Sequence, residues 1–189
     1  MLVSYSSEPW TSCLISEIDK TSMKQKRAGI IVYTYQPPAE SSPRTEIEDG
    51  PDLEFVLGLD ASHGDLTDLG GRVEKRETPI IAAIREFQEE SQGVFGYIRP
   101  EDLENSLAIF SVDLLLIFVK LIFDRSVISN AFKRRIERIQ NLEVSRLIIL
   151  DTEEFQRAVS GKYHYKIYDP VRTLLSNIPE LETFLTSLP

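Results

Sequence analysis

The sequence is poor in the side chains that form disulfides and zinc sites. Its 189 residues include one cysteine, Cys13, and two histidines, His63 and His164. A single cysteine excludes an intramolecular disulfide and cysteine-based zinc sites, and two histidines are too few for a zinc site of their own. For the same reason a nucleophilic role for Cys13 is not expected. This composition fits a reducing compartment, and we expect a cytoplasmic protein.

Long apolar runs are also missing. The most apolar stretch, residues 114–123, is interrupted by Lys120 and is far shorter than the roughly 20 residues that cross a bilayer. The N-terminus shows no charged segment followed by an apolar run, so no signal peptide is expected. The sequence therefore predicts no membrane span.

Positive charge is in the minority, since the net charge is −9. This balance argues against broad electrostatic capture of nucleic acid, which relies on basic patches. Two local basic clusters remain, and solvated surface is the first interpretation of both: Lys24, Lys26 and Arg27, and Lys133, Arg134, Arg135 and Arg138. The first cluster directly precedes a predicted strand and is a candidate for substrate binding. The second is a candidate contact for an RNA backbone.

The pattern of apolar residues predicts one α/β domain over residues 1–189. β-branched and aromatic residues predict strands at 30–35 and 53–59, paired as a hairpin around a loop at 37–51. Further strands are predicted at 108–112, 114–123 and 145–150. A loop at 60–68 then leads into a glycine turn at Gly70 and Gly71. Strands and helices alternate, so we expect a mixed sheet between helices.

An amphipathic helix is predicted near residues 126–140, between two late strands. Its apolar residues recur at helical spacing, and its basic cluster lies on a polar flank. The chain shows no repeat and no linker that would separate two domains. This inserted helix is therefore a candidate recognition element within a single domain.

The most informative segment is residues 71–93, GRVEKRETPIIAAIREFQEESQG. Thr78 and Pro79 are typical of an N-cap and a first helical position. No helix breaker follows before Gly93, which predicts a helix of about fourteen residues. At about 100° per residue, three glutamates of this helix fall within an arc of roughly 100°: Glu86, Glu89 and Glu90.

Three carboxylates on one helix face repel one another by a few tenths of a kcal/mol per pair. A hard divalent cation reverses that sign, because Mg²⁺ prefers carboxylate oxygens together with phosphate and water. An isolated segment of this composition is more often the solvated face of an acidic helix. The residues upstream of the helix favour the metal-binding interpretation.

A spaced pattern in this segment resembles the Nudix box. It consists of glycine, five residues, glutamate, seven residues, Arg-Glu, an apolar residue, any residue and Glu-Glu. The residues in register are Gly71, Glu77, Arg85, Glu86, Phe87, Glu89 and Glu90. The chain departs from the box at Arg76, where many members carry glycine, and at Gln92, which stands in place of the closing glycine. Because Gly93 comes one residue late, we expect the helix to be one residue longer, with Gly93 as its left-handed C-cap.

The resemblance implies the α/β/α sandwich of Nudix hydrolases and hydrolysis of a pyrophosphate bond. It implies Mg²⁺ or Mn²⁺ held by the glycine loop and the helix carboxylates: Gly71, Glu86, Glu89 and Glu90. Glu86 and Glu89 are the leading candidates for the general base, although some members take the base from a later loop. Arg85 and Glu77 complete the catalytic set as a pair that fixes the glycine loop against the helix.

The implied substrate is a nucleoside diphosphate linked to another group, and the sequence leaves that group open. A capped RNA end, a dinucleoside polyphosphate, a nucleotide sugar and an inositol pyrophosphate all fit. Removal of the mRNA cap is one such reaction. A different class of answer is a non-catalytic nucleotide-binding module on the same scaffold. The complete set of glutamates disfavours that alternative.

Overall fold

A computed structural model describes residues 10–36, 52–178 and 181–188. The predicted loop at 37–51 lies outside the described residues. Within the described part, the predicted α/β architecture with a mixed sheet between helices is confirmed. The strands are β1 (Trp10–Leu14), β2 (Arg27–Gln36), β3 (Asp52–Asp60), β4 (Leu66–Thr67), β5 (Leu69–Arg72), β6 (Leu107–Ser111), β7 (Leu114–Lys120) and β8 (Val144–Asp151).

Helices cover both faces of this sheet. They are α1 (Pro79–Glu90), α2 (Arg125–Ile136), α3 (Thr152–Val159), α4 (Asp169–Ser176) and α5 (Leu181–Thr186), and two short 3-10 turns occupy Ile15–Glu17 and Pro100–Leu103. None of the described helices combines the length and apolar character needed to cross a bilayer.

The central strand β2 divides the core into two layers, because successive side chains of a strand point to opposite faces. Ile30 and Val32 pack in the cluster that contains the buried residues of α1 and α2. Ile31 and Tyr33 pack in the cluster that contains those of α3, α4 and α5. The result is the α/β/α sandwich that the Nudix resemblance implies.

The sheet splits next to the candidate site. β2 pairs with β7 in parallel along one edge, while its other edge is shared by two antiparallel partners. Residues 32–36 of β2 pair with β3, and residues 27–30 pair with β5. The far end of β3 pairs with β4 on the way to β5, and β3 pairs with β8 along Glu54–Asp60. The short segment β4–β5 therefore fills the gap where β2 and β3 separate.

The predicted loop at 60–68 and the predicted glycine turn are wrong in their later part. Residues 66–67 form β4, and both glycines lie inside β5. Close approach of two backbones requires glycine at Gly70 and at its partner Gly29. Gly70 pairs with Gly29 across the ladder, and a Cβ on Gly70 would lie 2.3 Å from the Gly29 Cα atom. A side chain at either position would push β5 away from β2.

Several predicted helix limits also move. α1 ends at Glu90 and is twelve residues long, and α2 ends at Ile136, short of the predicted limit at 140. α2 begins after Asp124, whose side chain accepts the Val127 N–H at 2.9 Å. This N-cap fixes the start of the inserted helix at Arg125, one residue before the predicted limit.

Candidate active site

Helix α1 starts as its sequence predicts. The Thr78 hydroxyl accepts a hydrogen bond from the Ile81 N–H at 3.4 Å, and Pro79 occupies the first turn. Ile80, Ile84 and Phe87 are buried against the sheet. This packing orients the carboxylates toward β5 and the end of the helix.

Arg85 directly contacts several other residues of the box-like segment. Its Nε donates to Glu77 Oε1 at 2.9 Å, and its Nη2 donates to Glu77 Oε2 and to the Arg72 carbonyl, both at 3.1 Å. Its Nη1 lies 2.8 Å from Glu86 Oε1 and 3.2 Å from Glu89 Oε2. The structure thus brings together the Arg85–Glu77 pair and two of the three helix carboxylates.

The electrostatic effect of Arg85 is clearest on Glu77. Hydrogen bonds from Arg85 hold the pKa of the Glu77 carboxyl below its ordinary value. The ion pair also joins the loop after β5 to the helix, because Glu77 precedes α1 and Arg85 lies two turns along it. Arg85 and Glu77 therefore position the loop and the carboxylates relative to each other.

Glu86 is buried directly against β5, which contains Gly70 and Gly71 and is called the glycine strand below. Its side chain is 11% exposed, and a Cβ on Gly71 would lie 2.4 Å from Glu86 Oε1. Burial raises the pKa of Glu86; Arg85 opposes this rise, and the charges of Glu89 and Glu143 add to it. A side chain at position 71 would require the Glu86 carboxylate to move.

Glu143 is a carboxylate that the sequence interpretation missed. It lies just before β8, is exposed, and is near enough to Glu86 for its charge to raise the pKa of that group. Its backbone carbonyl accepts the Ala61 N–H at 2.8 Å, which fixes it beside the turn after β3. No local spacing marks Glu143, because it reaches the site only through the pairing of β8 with β3.

Glu90 lies on the inner side of the site. Its Oε2 accepts the Gly70 N–H at 2.6 Å. Burial, together with the nearby charge of Asp68, raises the pKa of Glu90 to about 9, although the hydrogen bond from Gly70 and the charge of Arg27 oppose the shift. This carboxyl group is therefore protonated at neutral pH unless a cation compensates its charge.

The first basic cluster is divided between different surroundings. Arg27 Nη1 contacts both oxygens of the fully buried Asp68 at 2.7 and 2.6 Å, and its Nη2 donates to the Gly70 carbonyl at 2.8 Å. Lys26 instead pairs with Asp113 at 2.9 Å on the exposed surface, and Lys24 is exposed. Of the three predicted substrate-binding residues, only Arg27 lies beside the glycine strand.

The donor set suits a hard divalent cation. Glu86, Glu89 and Glu90 offer carboxylate oxygens. Because Gly71 has no Cβ, the Glu86 carboxylate can lie directly against the Gly71 backbone. Mg²⁺ and Mn²⁺ prefer such oxygen ligands. In the described ranges, no three acidic, histidine or cysteine side chains converge in the geometry of a metal centre. Arg85 lies between Glu86 and Glu89 and supplies the positive charge there.

The end of α1 differs from the prediction. The helix is not extended, and Gln92 takes the left-handed conformation itself, with φ of 53°, followed by Gly93 with φ of 63°. The Arg135 guanidinium of α2 donates a hydrogen bond to the Gln92 carbonyl. One member of the second basic cluster is therefore committed to holding the end of α1.

Cys13 lies on β1, away from these groups. Burial and the charge of Glu17 raise the pKa of its thiol to about 11. It is a neutral thiol at physiological pH, which agrees with the prediction that it is no nucleophile.

No protein-family model matches the chain, and no curated protein matches it. Solved structures that are similar include an Ap4A hydrolase of C. elegans in a binary complex, at 18% identity and a TM-score of 0.49, covering 86% of this chain and 100% of that one. A second structure of C. elegans Ap4A hydrolase has 19% identity and a TM-score of 0.46, and the match covers 86% of this chain and 99% of that one. A mutT/nudix family protein from Listeria innocua has 15% identity and a TM-score of 0.41, and the match covers 88% of this chain and 99% of that one.

The conformation of Gln92 leads to a first prediction. A non-glycine residue in the left-handed region costs about 1 kcal/mol, so Gln92→Gly is expected to raise the free energy of unfolding by about that amount, measured by urea denaturation. The matched control is Ser91→Gly, because Ser91 has φ of −77° and gains nothing from glycine. Equal destabilisation by both changes would contradict the prediction.

A second prediction follows from Glu90. Its pKa is raised to about 9 in the folded protein, whereas an unfolded glutamate titrates near about 4.3. Its contribution to stability is therefore complete below the unfolded pKa and is lost as pH rises toward the folded pKa. In EDTA, the melting temperature of Glu90→Gln is expected to exceed that of the wild type increasingly between pH 5 and pH 9.

The control for this experiment is Glu89→Gln, because the Glu89 side chain is 62% exposed. Its difference from the wild type is expected to change much less over the same pH range. A Glu90→Gln difference that stays constant with pH would show that the folded-state pKa of Glu90 is not raised.

Proposed function

We propose that this protein is a Nudix hydrolase that cleaves a pyrophosphate bond in a nucleoside diphosphate linked to another group, with Mg²⁺ or Mn²⁺ as cofactor. The observation that carries the proposal is the contact set of Arg85, which joins Glu77, Glu86 and Glu89 through one guanidinium. In a helix whose acidic face is only solvated, neither these contacts nor a buried carboxylate packed against the glycine strand would be expected.

Each box residue has a role that its contacts support. Glu86, Glu89 and Glu90, together with the Gly71 backbone, would hold the cation. When bound, Mg²⁺ or Mn²⁺ neutralises the diphosphate and lowers the pKa of the attacking water. Arg85 and Glu77 keep the loop and helix in register, which maintains the spacing between the cation ligands.

The general base is drawn from three carboxylates. Glu86 and Glu89 remain the leading candidates, and Glu143 joins them because it lies near Glu86. A raised pKa improves a carboxylate as a proton acceptor near neutral pH, and Glu86 has this property through burial. Glu89 and Glu143 are exposed and accessible to water.

A binding module without catalysis is the less supported alternative. Burying Glu86 and Glu90 beside each other is costly, since a carboxylate removed from water loses solvation. A protein that only binds a nucleotide does not require that cost. The charge of a bound divalent cation would compensate it.

A third prediction tests the proposal. Glu89→Gln and Glu90→Gln are expected to preserve the fold and to lower kcat by at least about 100-fold, measured over dinucleoside polyphosphates, nucleotide sugars, capped RNA and inositol pyrophosphates. EDTA is expected to abolish turnover, and Mg²⁺ or Mn²⁺ to restore it. The rate should rise with pH as the base loses its proton.

The matched control is Glu101→Gln, an exposed glutamate of the Pro100–Leu103 turn. It is expected to leave turnover unchanged. Wild-type turnover in both box variants would exclude the cation site. Tight nucleotide binding with no cleavage of any substrate would favour the binding module.

Among the candidate substrates, capped RNA is supported by the basic residues of α2. Lys133 and Arg134 line an open groove of about 440 Å³ along this helix, next to Glu137, and these two cations can pair with a phosphate backbone. The groove lies on a helix that is tied to the end of α1 through Arg135. An RNA body on α2 would thus lie on the element that borders the site.

A fourth prediction tests this version. Replacing Lys133, Arg134 and Arg138 by glutamine, with Arg135 kept because it holds Gln92, is expected to raise KM for a long capped RNA and to reduce the salt dependence of binding. Cleavage of a cap dinucleotide should not change. An equal effect on both substrates, or no effect, would return the cluster to solvated surface.

A further inference from the structure

A pocket of about 300 Å³ includes Gly70 of the glycine strand in its lining. The residues that line it and matter here are Arg27, Asp60, Asp65, Gly70 and Tyr168. Gly70 connects the pocket to the carboxylates, because its N–H donates to Glu90 at 2.6 Å and its carbonyl accepts from Arg27 at 2.8 Å. A ligand in this pocket therefore lies one peptide unit away from the cation ligands.

Regular backbone pairing fixes the walls of this pocket. The Tyr168 N–H donates to the Leu66 carbonyl at 2.8 Å, and the Leu66 N–H donates to the Lys166 carbonyl at 2.7 Å. The turn after β3 closes through the Asp60 N–H and the Asp65 carbonyl at 2.9 Å. The lining side chains therefore stand at defined positions before any ligand arrives.

The flat wall is formed by Arg27 and Tyr168. The Arg27 guanidinium lies 5.4 Å from the centre of the Tyr168 ring. Its charge is compensated by the buried Asp68, which it contacts through both carboxylate oxygens. The wall therefore offers a planar stacking surface with little net charge.

The rim carries negative charge and hydrogen-bond acceptors. Asp60 holds its own turn, since its Oδ1 accepts the backbone N–H groups of Ser62 and His63 at 2.8 and 2.6 Å. In the described residues, no hydrogen bond or ion pair engages the Asp65 carboxylate. Two carboxylates at the rim repel a phosphate and accept hydrogen bonds from hydroxyl or amino groups.

We propose that this pocket binds the nucleoside part of the substrate, with the base stacked on Tyr168 and the ribose hydroxyls donating to Asp65. The inference rests on the proposed function and specifies which part of the substrate lies where. Aromatic rings stack on bases of any sequence, and a carboxylate is a common acceptor for ribose hydroxyls. The volume is at the small end of ligand pockets, which suits one nucleoside.

This placement separates the two ends of the substrate by charge. The nucleoside occupies the acidic pocket, and the diphosphate extends past Gly70 toward Glu86, Glu89 and Glu90. A ligand that carries phosphates around its whole ring would be repelled by the carboxylates of Asp60 and Asp65. The pocket therefore selects nucleoside diphosphates over inositol pyrophosphates.

The test is calorimetric binding of ADP with Mg²⁺, compared with 2′,3′-dideoxy-ADP and inorganic pyrophosphate. Asp65→Asn is expected to raise the Kd of ADP about tenfold, the value of one charge-assisted hydrogen bond, and to leave the dideoxy analogue unchanged. Tyr168→Ala is expected to raise the Kd of both nucleotides about tenfold. Tyr168→Phe keeps the ring and should bind as the wild type does, and pyrophosphate should be insensitive to all three changes.

Matched controls are Tyr97→Ala and Asp113→Asn, which change an exposed tyrosine and an exposed aspartate that do not line the pocket. Neither should alter nucleotide binding. A wild-type protein that does not bind ADP, or pocket variants that bind ADP and its analogue as the wild type does, would overturn the proposal.

Failure of the two proposals can be told apart. If the binding pattern is as expected and no pyrophosphate substrate is cleaved, the nucleoside pocket stands and the hydrolase proposal fails. If a nucleoside-containing substrate is cleaved with unchanged KM in Tyr168→Ala and Asp65→Asn, the hydrolase proposal stands and the nucleoside pocket fails.

Discussion

The close approach of β5 to its neighbours is the constraint on which the candidate site depends. At Gly70 the backbone lies against Gly29 of β2, and at Gly71 it lies against the Glu86 carboxylate. Any side chain at these positions would occupy space that a backbone or a carboxylate already fills. Because β5 is held so close, the N–H and C=O of Gly70 can bind Glu90 and Arg27. The glycines therefore contribute by being small inside a strand.

Buried charge is the second constraint, and the protein compensates it unevenly. Asp68 is fully buried and is matched by Arg27, with the Thr67 hydroxyl as a further donor at 2.9 Å. Removing one partner of such a pair costs about 3–5 kcal/mol, because the other charge is left buried. Among the described residues, Glu90 is compensated by the Gly70 N–H and a share of the Arg27 charge, so its pKa stays high. The uncompensated group is the one expected to bind the cation.

Local signals were enough to predict α1 and the alternation of strands and helices, because each depends on residues close in sequence, such as the Thr78 cap. The Arg85–Glu77 pair was implied by the Nudix resemblance, and the structure contains it. Glu143 and the Arg27–Asp68 pair could not be found this way, since strand pairing brings them together from 57 and 41 residues apart. The glycine turn was mispredicted because glycine marks both turns and close backbone contacts.

The departure at Gln92 shows how the inserted helix α2 becomes part of the site. A glycine would adopt the left-handed conformation at little cost, whereas Gln92 does so while its carbonyl accepts a hydrogen bond from Arg135. The last turn of α1 carries Glu89 and Glu90, so the bond fixes the helix end next to two of the carboxylates proposed to hold the cation. Arg135 is therefore engaged with the end of α1 through this bond. A basic cluster that looks uniform in sequence is divided by the fold into one structural residue and three that face solvent.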